Sequence, residues 1–418
     1  MFFKIVLSVL FCSIALAAGE SYEGFKVYDI NAKNAFEKEV LYRLESNEKY
    51  DFFVLPKIIG QAARVMVQPE DQVEFETILN KFSIDFSVVN ENFGETVEFE
   101  RAQNQFLRTV LDTSDSRISF ASFQRYADIV NYLNQLAKSY PSRVIVKTLG
   151  KTYENRELKA ITISNGDGVA NKKVILVDAG IHAREWIAPA GALYLIQELV
   201  ENFSANSHLL KDYDWVVVPV ANPDGYEYTH TSTRMWRKTR KPSSSTCYGT
   251  DGNRNFDFHW GEVGASSLSC ADTFKGTTAF SEPETQILRD LMLSLTGRAK
   301  MYLTLHSYGN YLLYPWGYTS ALPDTWRDID EIAQTGAAAI KAATGTKYTV
   351  GSSTNVLYAA AGGSDDYAYA VAKIPISITM ELPAGGTGFD PKPAQIQPFV
   401  SETWVGIKAM AEKLISKY

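Results

Sequence analysis

Short, continuously apolar runs recur between residues 118 and 418, and segments with helical spacing separate them. A strand buried on one face alternates apolar and polar residues, whereas a strand buried on both faces is apolar throughout. These runs therefore predict a large mixed sheet covered by helices, in one α/β domain. The apolar runs are 144–146, 160–163, 174–177, 215–220, 301–305 and 374–380, and the helical segments include 127–139, 187–202 and 282–293.

A different pattern precedes this domain. Its strand-like segments are 25–30, 50–55, 63–68 and 85–90, and its helical segments are 31–45 and 69–82. The resulting order β-α-β-β-α-β is a split βαβ unit, which predicts a small α+β domain over residues 18–90. Residues 91–117 combine a charged, helix-compatible stretch with a segment that lacks apolar periodicity. We interpret them as a helical linker whose arginines at 101, 108 and 117 lie in an exposed, trypsin-sensitive tether.

The first 17 residues have the pattern of a signal peptide. A basic start is followed by an apolar run from Ile5 to Leu16, and the small residues of Ala15-Leu16-Ala17 provide a cleavage site. No later stretch approaches the roughly eighteen unbroken apolar residues that a membrane span needs. The sequence therefore predicts a secreted, extracellular protein without a membrane anchor.

The charge is distributed unevenly along the chain. Residues 20–117 carry eleven Lys/Arg and nineteen Asp/Glu, whereas residues 118–418 carry twenty-nine of each. Nothing in this distribution favours nucleic acid as a partner. The acidic front segment either covers a site for a cationic ligand on the neutral remainder or is an ordinary solvated acidic surface.

Two of the three cysteines remain after signal-peptide removal, because Cys12 lies in that segment. In an oxidising compartment Cys247 and Cys270 have only each other, which predicts one disulfide, with two buried free thiols as the alternative. On the chain-entropy account the cross-link stabilises the fold by roughly 3 kcal/mol. Asn202 begins an Asn-Phe-Ser sequon, and the sequence leaves open whether it is glycosylated.

Candidate metal ligands follow two of the predicted buried strands. His182 and Glu185 come just after the run 174–177, and His306 comes just after the run 301–305. The His-x-x-Glu spacing alone is weak evidence, since a lone histidine is more often structural. Chemistry in such sheets collects at the carboxyl ends of the strands, however, so these three side chains could face one point there. Three protein ligands with one open position are typical of a catalytic zinc site.

A third predicted strand delivers a carboxylate to the same edge. Glu381 ends the run 374–380, and such a group can take a proton from a metal-activated water and return it to the leaving amine. Basic residues gather between Arg234 and Arg254. Such a cluster is usually a solvated face, but arginine suits bidentate capture of a carboxylate, so a free peptide C-terminus is a plausible ligand.

With these residues in place, the chain resembles the digestive metallocarboxypeptidases of the A/B family, including their pro-segment. The resemblance covers essentially the whole chain after the signal peptide. The shared motifs, in chain order, are His182-Ala-Arg-Glu185-Trp, Asn222-Pro-Asp-Gly-Tyr, Arg234-Met-Trp-Arg237-Lys-Thr-Arg, Asn253-Arg-Asn-Phe, Leu305-His306-Ser-Tyr, Gly362-Gly-Ser and the strand that ends in Glu381.

The resemblance implies a role for each catalytic side chain. His182, Glu185 and His306 would bind one Zn²⁺ per chain, a ligand set known from carboxypeptidase A and therefore taken from the family as much as inferred from the strands. Glu381 would be the general base and acid. Arg237 would polarise the scissile carbonyl and stabilise the oxyanion.

The resemblance also implies how substrate binds. Asn253, Arg254 and Tyr358 would hold the terminal carboxylate, and Arg184 and Tyr308 would line the approach to it. The substrates would be the C-termini of peptides and proteins.

Two further roles complete the set that the resemblance implies. Asp251 would orient His182 as a hydrogen-bond acceptor. The front segment would be an inhibitory pro-domain, removed by a trypsin-like protease near Arg117. The active protein would be a monomer.

Specificity is expected to depend on Asp365, which matches the floor of the family's terminal side-chain pocket. An aspartate there goes with the B type, which removes Lys and Arg, and an apolar residue goes with the A type. A buried carboxylate is costly unless an incoming cation pairs with it. The alternative is that Asp365 faces away or pairs with a cation of the protein. The loop after Glu381, which ends at Phe389, is one residue shorter than usual and lacks the family's charged residues.

Three other functions compete with this expectation. The first is an A-type or mixed peptidase, which removes apolar or aromatic residues. The second is a catalytically silent secreted binding protein of the same fold, which the complete set of ligands, base and arginines disfavours. The third is a zinc deacylase of small amides, which the carboxylate-binding residues disfavour.

Overall fold

A computed structural model describes residues 21–45, 47, 49–111 and 118–418 of the chain. The predicted signal peptide (1–17) and the predicted cleavage site at Arg117 therefore lie outside the described residues. The first elements follow the order predicted for a split βαβ unit. They are β1 (Lys26–Asn31), α1 (Ala35–Glu45), β2 (Tyr50–Val54), β3 (Ala62–Val67), α2 (Gln72–Lys81) and β4 (Asp85–Asn90).

These elements form a small α+β domain, which we name the N-terminal domain. Its strands pair in the order β2-β3-β1-β4, and β1 is antiparallel to both of its neighbours. Leu41 of α1 and Phe75 of α2 are fully buried against Val65 of the sheet, so both helices contribute to its core. A 3₁₀ turn at Pro69–Asp71 precedes α2, as the proline at that position favours.

The charged segment that follows is a single helix, α3 (Phe93–Leu111), packed on the rest of the chain. Arg101 donates a hydrogen bond to the carbonyl oxygen of Ser232 at 2.6 Å, and Arg108 forms an ion pair with Asp128. The expectation of an exposed tether is therefore wrong for these two arginines. The physical reason is that the buried face of α3 is partly polar, so that no continuous apolar periodicity marked it in the sequence.

The remaining residues form one large domain around a second sheet. Its strands are β5 (Val144–Lys151), β6 (Glu157–Ile163), β7 (Lys173–Ala179), β8 (Tyr213–Val218), β9 (Ala299–Ser307), β10 (Tyr311–Tyr314), β11 (Thr349–Ser352) and β12 (Ile376–Leu382). In the described part of the chain the eight strands run in the order β11-β10-β12-β9-β7-β8-β6-β5. The central strands β12, β9, β7 and β8 are parallel, and antiparallel pairs flank them, so the sheet is mixed as predicted.

Helices cover both faces of this sheet. They are α4 (Tyr126–Ser139), α5 (Ile187–Val200), α6 (Phe203–Asn206), α7 (Pro223–Thr231), α8 (Pro283–Ser294), α9 (Trp326–Thr344), α10 (Ser353–Val356), α11 (Ser364–Ala370) and α12 (Pro393–Lys417). Alternate residues of β7 enter different cores: Ile175 and Val177 pack in one, Val174 and Leu176 in the other. The strand is apolar throughout because each face is buried, which confirms the sequence prediction.

The N-terminal domain and α3 contact the large domain through a cluster of buried apolar residues. Met66 of the N-terminal domain and Phe93 and Val97 of α3 pack with Met235 and Phe389 of the large domain in one buried cluster. This contact borders the carboxyl ends of the parallel strands, where the candidate ligands were expected. None of the described helices is long and apolar enough to cross a membrane.

Candidate active site

The three predicted metal ligands lie together at the carboxyl edge of the large sheet. His306 is the second-to-last residue of β9, and His182 and Glu185 follow β7 after a tight turn. Gly180 has a φ of 67°, and a side chain there would approach Pro189 to 2.9 Å, so this turn requires glycine. The turn directs both ligands of the His-x-x-Glu segment towards β9.

The donor atoms of these three side chains face one point. Nδ1 of His182 lies 2.8 Å from Glu185 Oε1, and Nδ1 of His306 lies 3.2 Å from Glu185 Oε2. The two Nδ1 atoms are 3.1 Å apart, and one potential ligand atom from each residue lies within 4.8 Å of the others. All three side chains are buried. Among the described residues, this is the one His/Cys/Asp/Glu group found with metal-binding geometry.

This donor set fits a zinc ion. Asp251 accepts a hydrogen bond from Nε2 of His182 at 3.0 Å, which places the proton on Nε2 and leaves the Nδ1 lone pair free for a metal. Burial would lower the pKa of His306, but the charge of Glu185 raises it to about 9. The buried carboxylate of Glu185 therefore favours positive charge beside it, and a divalent cation supplies such charge directly.

Glu381 lies beside this cluster, because β12 is the parallel neighbour of β9. In the register of the two strands, Glu381 stands opposite His306. Burial raises the pKa of Glu381 to about 8, against the opposing charges of His306 and Arg237. A carboxyl group of this kind, next to the donor cluster, can accept and return a proton near neutral pH.

Asp251 connects the candidate ligands to Arg237. Its Oδ2 accepts two hydrogen bonds from Arg237, at 2.8 Å from Nη2 and 3.1 Å from Nε. Its Oδ1 accepts from His182 and from the backbone N–H of Asn253. Burial would lower the pKa of Arg237, but the charges of Asp251 and Glu185 raise it further above its ordinary range. Arg237 is thus held as a cation 3.9 Å from Glu185.

Arg254 and Tyr358, expected to bind a substrate carboxylate, and Tyr308, expected to line the approach, differ in exposure. Arg254 is buried and donates to the carbonyl oxygens of Gly264 and Asn253 at 2.8 and 2.9 Å. Tyr308 is half-buried and packs against Phe389, at 5.0 Å between ring centroids. Tyr358 is the most accessible of the group, with about 38% of its surface exposed.

Asp365 lies in the first turn of α11 and close to Asn253. The side-chain oxygen of Asn253 accepts a hydrogen bond from the backbone of Ser364 at 2.9 Å, which fixes the start of that helix beside the candidate carboxylate site. Asp365 is only 7% exposed, and its carboxylate accepts from Ser353 and Thr379. No Lys, Arg or His of the described residues forms an ion pair with it, so the alternative of an internal cation finds no support.

Arg184 differs from the other candidate residues because it forms an ion pair with a residue of the N-terminal domain. Its Nη1 lies 2.9 and 3.1 Å from the two carboxylate oxygens of Asp51 on β2. Asp272 of the large domain is also near, at 3.3 Å. Lys57 and Arg64 of the N-terminal domain donate to the carbonyl oxygens of Thr354 and Thr387 on the other side of the cleft. The N-terminal domain therefore covers this edge of the sheet.

The predicted disulfide joins Cys247 to Cys270 and closes the loop that carries Arg254. Sequence reasoning missed other parts of the site. Thr379 was not singled out, although it precedes Glu381 by two residues on β12 and alternate strand residues share a face. Asp51 was missed because its partner is more than a hundred residues away in the chain, and no local pattern marks such a contact.

Comparisons with known proteins agree with this arrangement. The profile of the family described as zinc carboxypeptidase matches residues 129–406, and that of the carboxypeptidase activation peptide matches residues 28–100. Zinc carboxypeptidase A 1 of Drosophila melanogaster is 37% identical over 424 residues, which cover 98% of this chain and 97% of that protein. Carboxypeptidase B of Astacus astacus is 43% identical over 304 residues, which cover 72% of this chain and all of that protein.

A solved structure is similar over nearly the same length. The crystal structure of carboxypeptidase A from Helicoverpa armigera superposes with a TM-score of 0.89 at 34% identity, and the match covers 95% of this chain and 99% of that one. Relatives named as A and as B types thus both match the chain.

Proposed function

The chain belongs to the zinc carboxypeptidases and carries their activation peptide, and from this premise we propose that it is a secreted zymogen that removes Lys or Arg from peptide C-termini. As a metallocarboxypeptidase it hydrolyses peptide bonds. The basic preference, the single zinc and the residue roles given below are the proposed part. So is the division into a signal peptide (1–17), a pro-domain (18–90), an activation segment (91–117) and a catalytic domain (118–418).

His182, Glu185 and His306 are the proposed ligands of one zinc ion. When bound, zinc supplies a Lewis acid that polarises the scissile carbonyl and makes water more acidic. Asp251 keeps His182 in the tautomer that a metal requires, because it accepts the Nε2 proton. The backbone N–H of Ser307 donates to Glu185 Oε2 at 3.1 Å and so fixes the orientation of this carboxylate.

Glu381 moves the proton during hydrolysis. It takes a proton from the attacking water as the water oxygen bonds to the carbonyl carbon, and it returns this proton to the amine nitrogen as the C–N bond breaks. Between these two steps the carbonyl oxygen of the substrate carries a negative charge, and Arg237 donates hydrogen bonds to it. The bidentate bond of Arg237 to Asp251 keeps the guanidinium in place.

Arg254 and Asn253 hold the free carboxylate of the substrate, which makes the enzyme an exopeptidase. Asn253 contacts the start of α11, where the terminal side chain would enter, because its side-chain oxygen accepts a hydrogen bond from the backbone N–H of Ser364. Tyr358 is the exposed partner that reaches this carboxylate from the cleft mouth, and Arg184 and Tyr308 contact the preceding residues of the peptide.

The single observation behind the basic preference is the buried carboxylate of Asp365. It lies at the start of α11, which Asn253 contacts, and within the described part of the chain no Lys, Arg or His forms an ion pair with it. A buried ionised group without a counter-charge is unfavourable, so an incoming Lys or Arg gains the interaction that the protein does not supply. An apolar terminal side chain gains nothing from this group.

The test is the terminal-residue preference of the activated protein. After trypsin treatment, blocked dipeptides that end in Arg, Lys, Phe and Leu are compared by kcat/KM. We expect the basic substrates to be at least ~100-fold better, as a desolvated charge pair provides, and D365A to lose this preference while hydrolysis of the Phe substrate persists. Equal turnover of the Phe substrate by the wild type would contradict the proposal and favour the A type, the name carried by the Drosophila relative.

Activation is proposed to require a trypsin-like protease that cuts at Arg117, after which the enzyme acts as a monomer. The supporting observation is that Arg184 donates hydrogen bonds to the carboxylate of Asp51 and that the N-terminal domain covers the cleft in the uncut chain. The uncut chain should therefore be nearly inactive on dipeptides. The N-terminal sequence of the activated enzyme, which should begin at Ile118, identifies the bond that is cut.

A further inference from the structure

The Asn202 sequon lies at the edge of the large sheet that is opposite the cleft. Helix α5 begins at Ile187, two residues after Glu185, and runs back along the sheet to Val200. At 1.5 Å per residue, this helix spans about 21 Å. The carbonyl oxygen of Val200 accepts a hydrogen bond at 3.3 Å from Arg143, the residue just before β5. Asn202 is therefore separated from the candidate zinc ligands by the length of a helix.

Two side chains anchor the turn that contains this sequon. The ring of Phe203 packs against the main core, and the Arg143 guanidinium lies over it at 4.2 Å from the ring centroid. Asn206 is fully buried, and its amide donates to the carbonyl oxygens of Glu198 and Asn202 at 2.9 and 3.3 Å. The turn therefore has a fixed position on the protein surface.

The two sequon residues that take part in glycosylation are accessible. Asn202 and Ser204 are both exposed, and they line a shallow depression that is open to solvent. Nδ2 of Asn202 donates a hydrogen bond to Glu198 Oε1 at 2.6 Å. An amide nitrogen has two hydrogens, and a glycosylated one keeps the second, so this bond can persist after modification.

We propose that Asn202 carries an N-linked oligosaccharide. It is the one asparagine of the sequence that begins an Asn-x-Ser/Thr pattern with x other than proline. In the transfer, Nδ2 forms a bond to the anomeric carbon of a lipid-pyrophosphate-linked oligosaccharide. The bond from this carbon to the phosphate oxygen breaks, the lipid pyrophosphate leaves, and Nδ2 gives up one proton. This inference rests on the proposed secretion, because the donor is met only in the secretory pathway.

The attachment point leaves the cleft uncovered. The N-terminal domain contacts the large domain at Arg184, Thr354 and Thr387, which all border the cleft. A bulky, hydrophilic oligosaccharide at the opposite edge is therefore compatible with both the uncut chain and the active enzyme.

The experiment uses the full chain, expressed in insect cells under its own signal peptide and, in parallel, under a signal peptide of the host. Protein from the medium is compared before and after treatment with an N-glycosidase, on a gel and by mass spectrometry of the peptide that contains Asn202. We expect the treatment to lower the mass of the protein and to convert Asn202 to aspartate, which identifies the asparagine that carried the glycan.

Two substitutions of Ser204 provide a matched pair. Ser204→Ala removes the hydroxyl that the sequon requires and leaves Asn202 in place, so the treatment should no longer lower the mass. Ser204→Thr keeps a hydroxyl and should retain the decrease in mass. Because Ser204 is exposed, neither substitution should impair folding.

Activity tests the position of the glycan. After trypsin activation, the glycosylated and deglycosylated enzymes should hydrolyse a Lys-ended dipeptide with kcat/KM values within about twofold of each other, as expected for a surface change far from the site. A larger difference would contradict the placement opposite the cleft.

The remaining outcomes separate this inference from the proposed secretion. An unmodified Asn202 in wild-type protein from the medium overturns the inference, and so does a Ser204→Ala protein that still loses mass on treatment. A chain that reaches the medium only under the signal peptide of the host overturns the proposed secretion, and the same sample still tests Asn202.

Discussion

The carboxylate of Glu100 forms a buried ion pair with the guanidinium of Arg234, with Oε2–Nε and Oε1–Nη2 distances of 2.5 and 3.1 Å. The pair joins α3 to the large domain. The same guanidinium donates to the carbonyl oxygens of Arg184, beside the candidate ligands, and of Phe389, in the loop after Glu381. One buried cation thus links α3, the helix of the proposed activation segment, to both loops that border the cleft.

Substitution of Glu100 should loosen this segment before any cleavage. Removal of one partner from a buried ion pair leaves an uncompensated charge and costs about 3 kcal/mol or more. We expect the uncut Glu100→Gln chain to hydrolyse a Lys-ended dipeptide several-fold faster than the uncut wild type, with cleavage absent on a gel. Glu98→Gln is the control, since Glu98 lies exposed on the same helix. A basal rate unchanged by Glu100→Gln would show that the ion pair does not hold the segment closed.

The contact between Asp51 and Arg184 should make zymogen stability depend on pH. Burial raises the pKa of Asp51 to about 6, with Arg184 and Arg237 opposing this and Asp272 adding to it. A carboxyl group with a raised folded-state pKa contributes stability below its ordinary pKa of about 4, and this contribution is lost as the pH rises through 6. Between pH 5 and 7.5, the melting temperature of the zymogen should therefore fall by about 2–4 °C relative to Asp51→Asn.

Asp51→Asn is informative because a carboxamide resembles the protonated acid and does not titrate. The difference in melting temperature between the two proteins isolates Asp51 from other groups that titrate in this range. A difference that is constant from pH 5 to 7.5, or that grows in favour of the wild type, would refute the assignment.

Removal of the metal should abolish activity, and Zn²⁺ should restore this activity where Mg²⁺ does not. The two Nδ1 atoms of His182 and His306 are 3.1 Å apart beside Glu185, a set of nitrogen and carboxylate donors that suits Zn²⁺ and not Mg²⁺. We expect a chelator to remove one zinc per chain and to lower the melting temperature of the activated enzyme. Activity should return on addition of one equivalent of Zn²⁺ and not with millimolar Mg²⁺. Metal analysis that finds no zinc in a fully active sample would overturn this assignment.

Much of the catalytic edge could be predicted from sequence, because it depends on strand ends. His306 and Glu381 close two apolar runs, and the parallel pairing of β9 with β12 places them opposite each other. The His-x-x-Glu segment follows a third such run. In each case a local pattern fixes the strand, and the geometry of a parallel sheet brings the ends together.

The contacts between the two domains could not be predicted in this way. Glu100 and Arg234 are 134 positions apart, and each looked like a solvated charge in its own segment. The short strands β10 and β11 were also not predicted, because four residues show too little periodicity to identify a strand. What sequence patterns omit here is the long-range polar pairing that attaches the N-terminal domain.

The sharpest test of the chemistry is Glu381→Gln in the activated enzyme. If Glu381 carries the proton between water and amine, its loss should lower kcat by about 10²–10⁴-fold. KM and zinc content should stay close to the wild-type values, since Gln keeps the shape of the side chain and His182, Glu185 and His306 are intact. Kinetics on a Lys-ended dipeptide, with metal analysis of the same samples, provide the measurement.

Glu284→Gln provides a matched control for this substitution. Burial also raises the pKa of Glu284 to about 8, but this residue lies at the start of α8, where its charged neighbours are Asp224 and Glu282 rather than the candidate ligands. Its substitution should leave kcat within about twofold of the wild type, because a neutral amide replaces an acid that is already largely protonated at neutral pH. A kcat for Glu381→Gln that stays within tenfold of the wild type, while Glu284→Gln behaves as expected, would assign the proton transfer to another group.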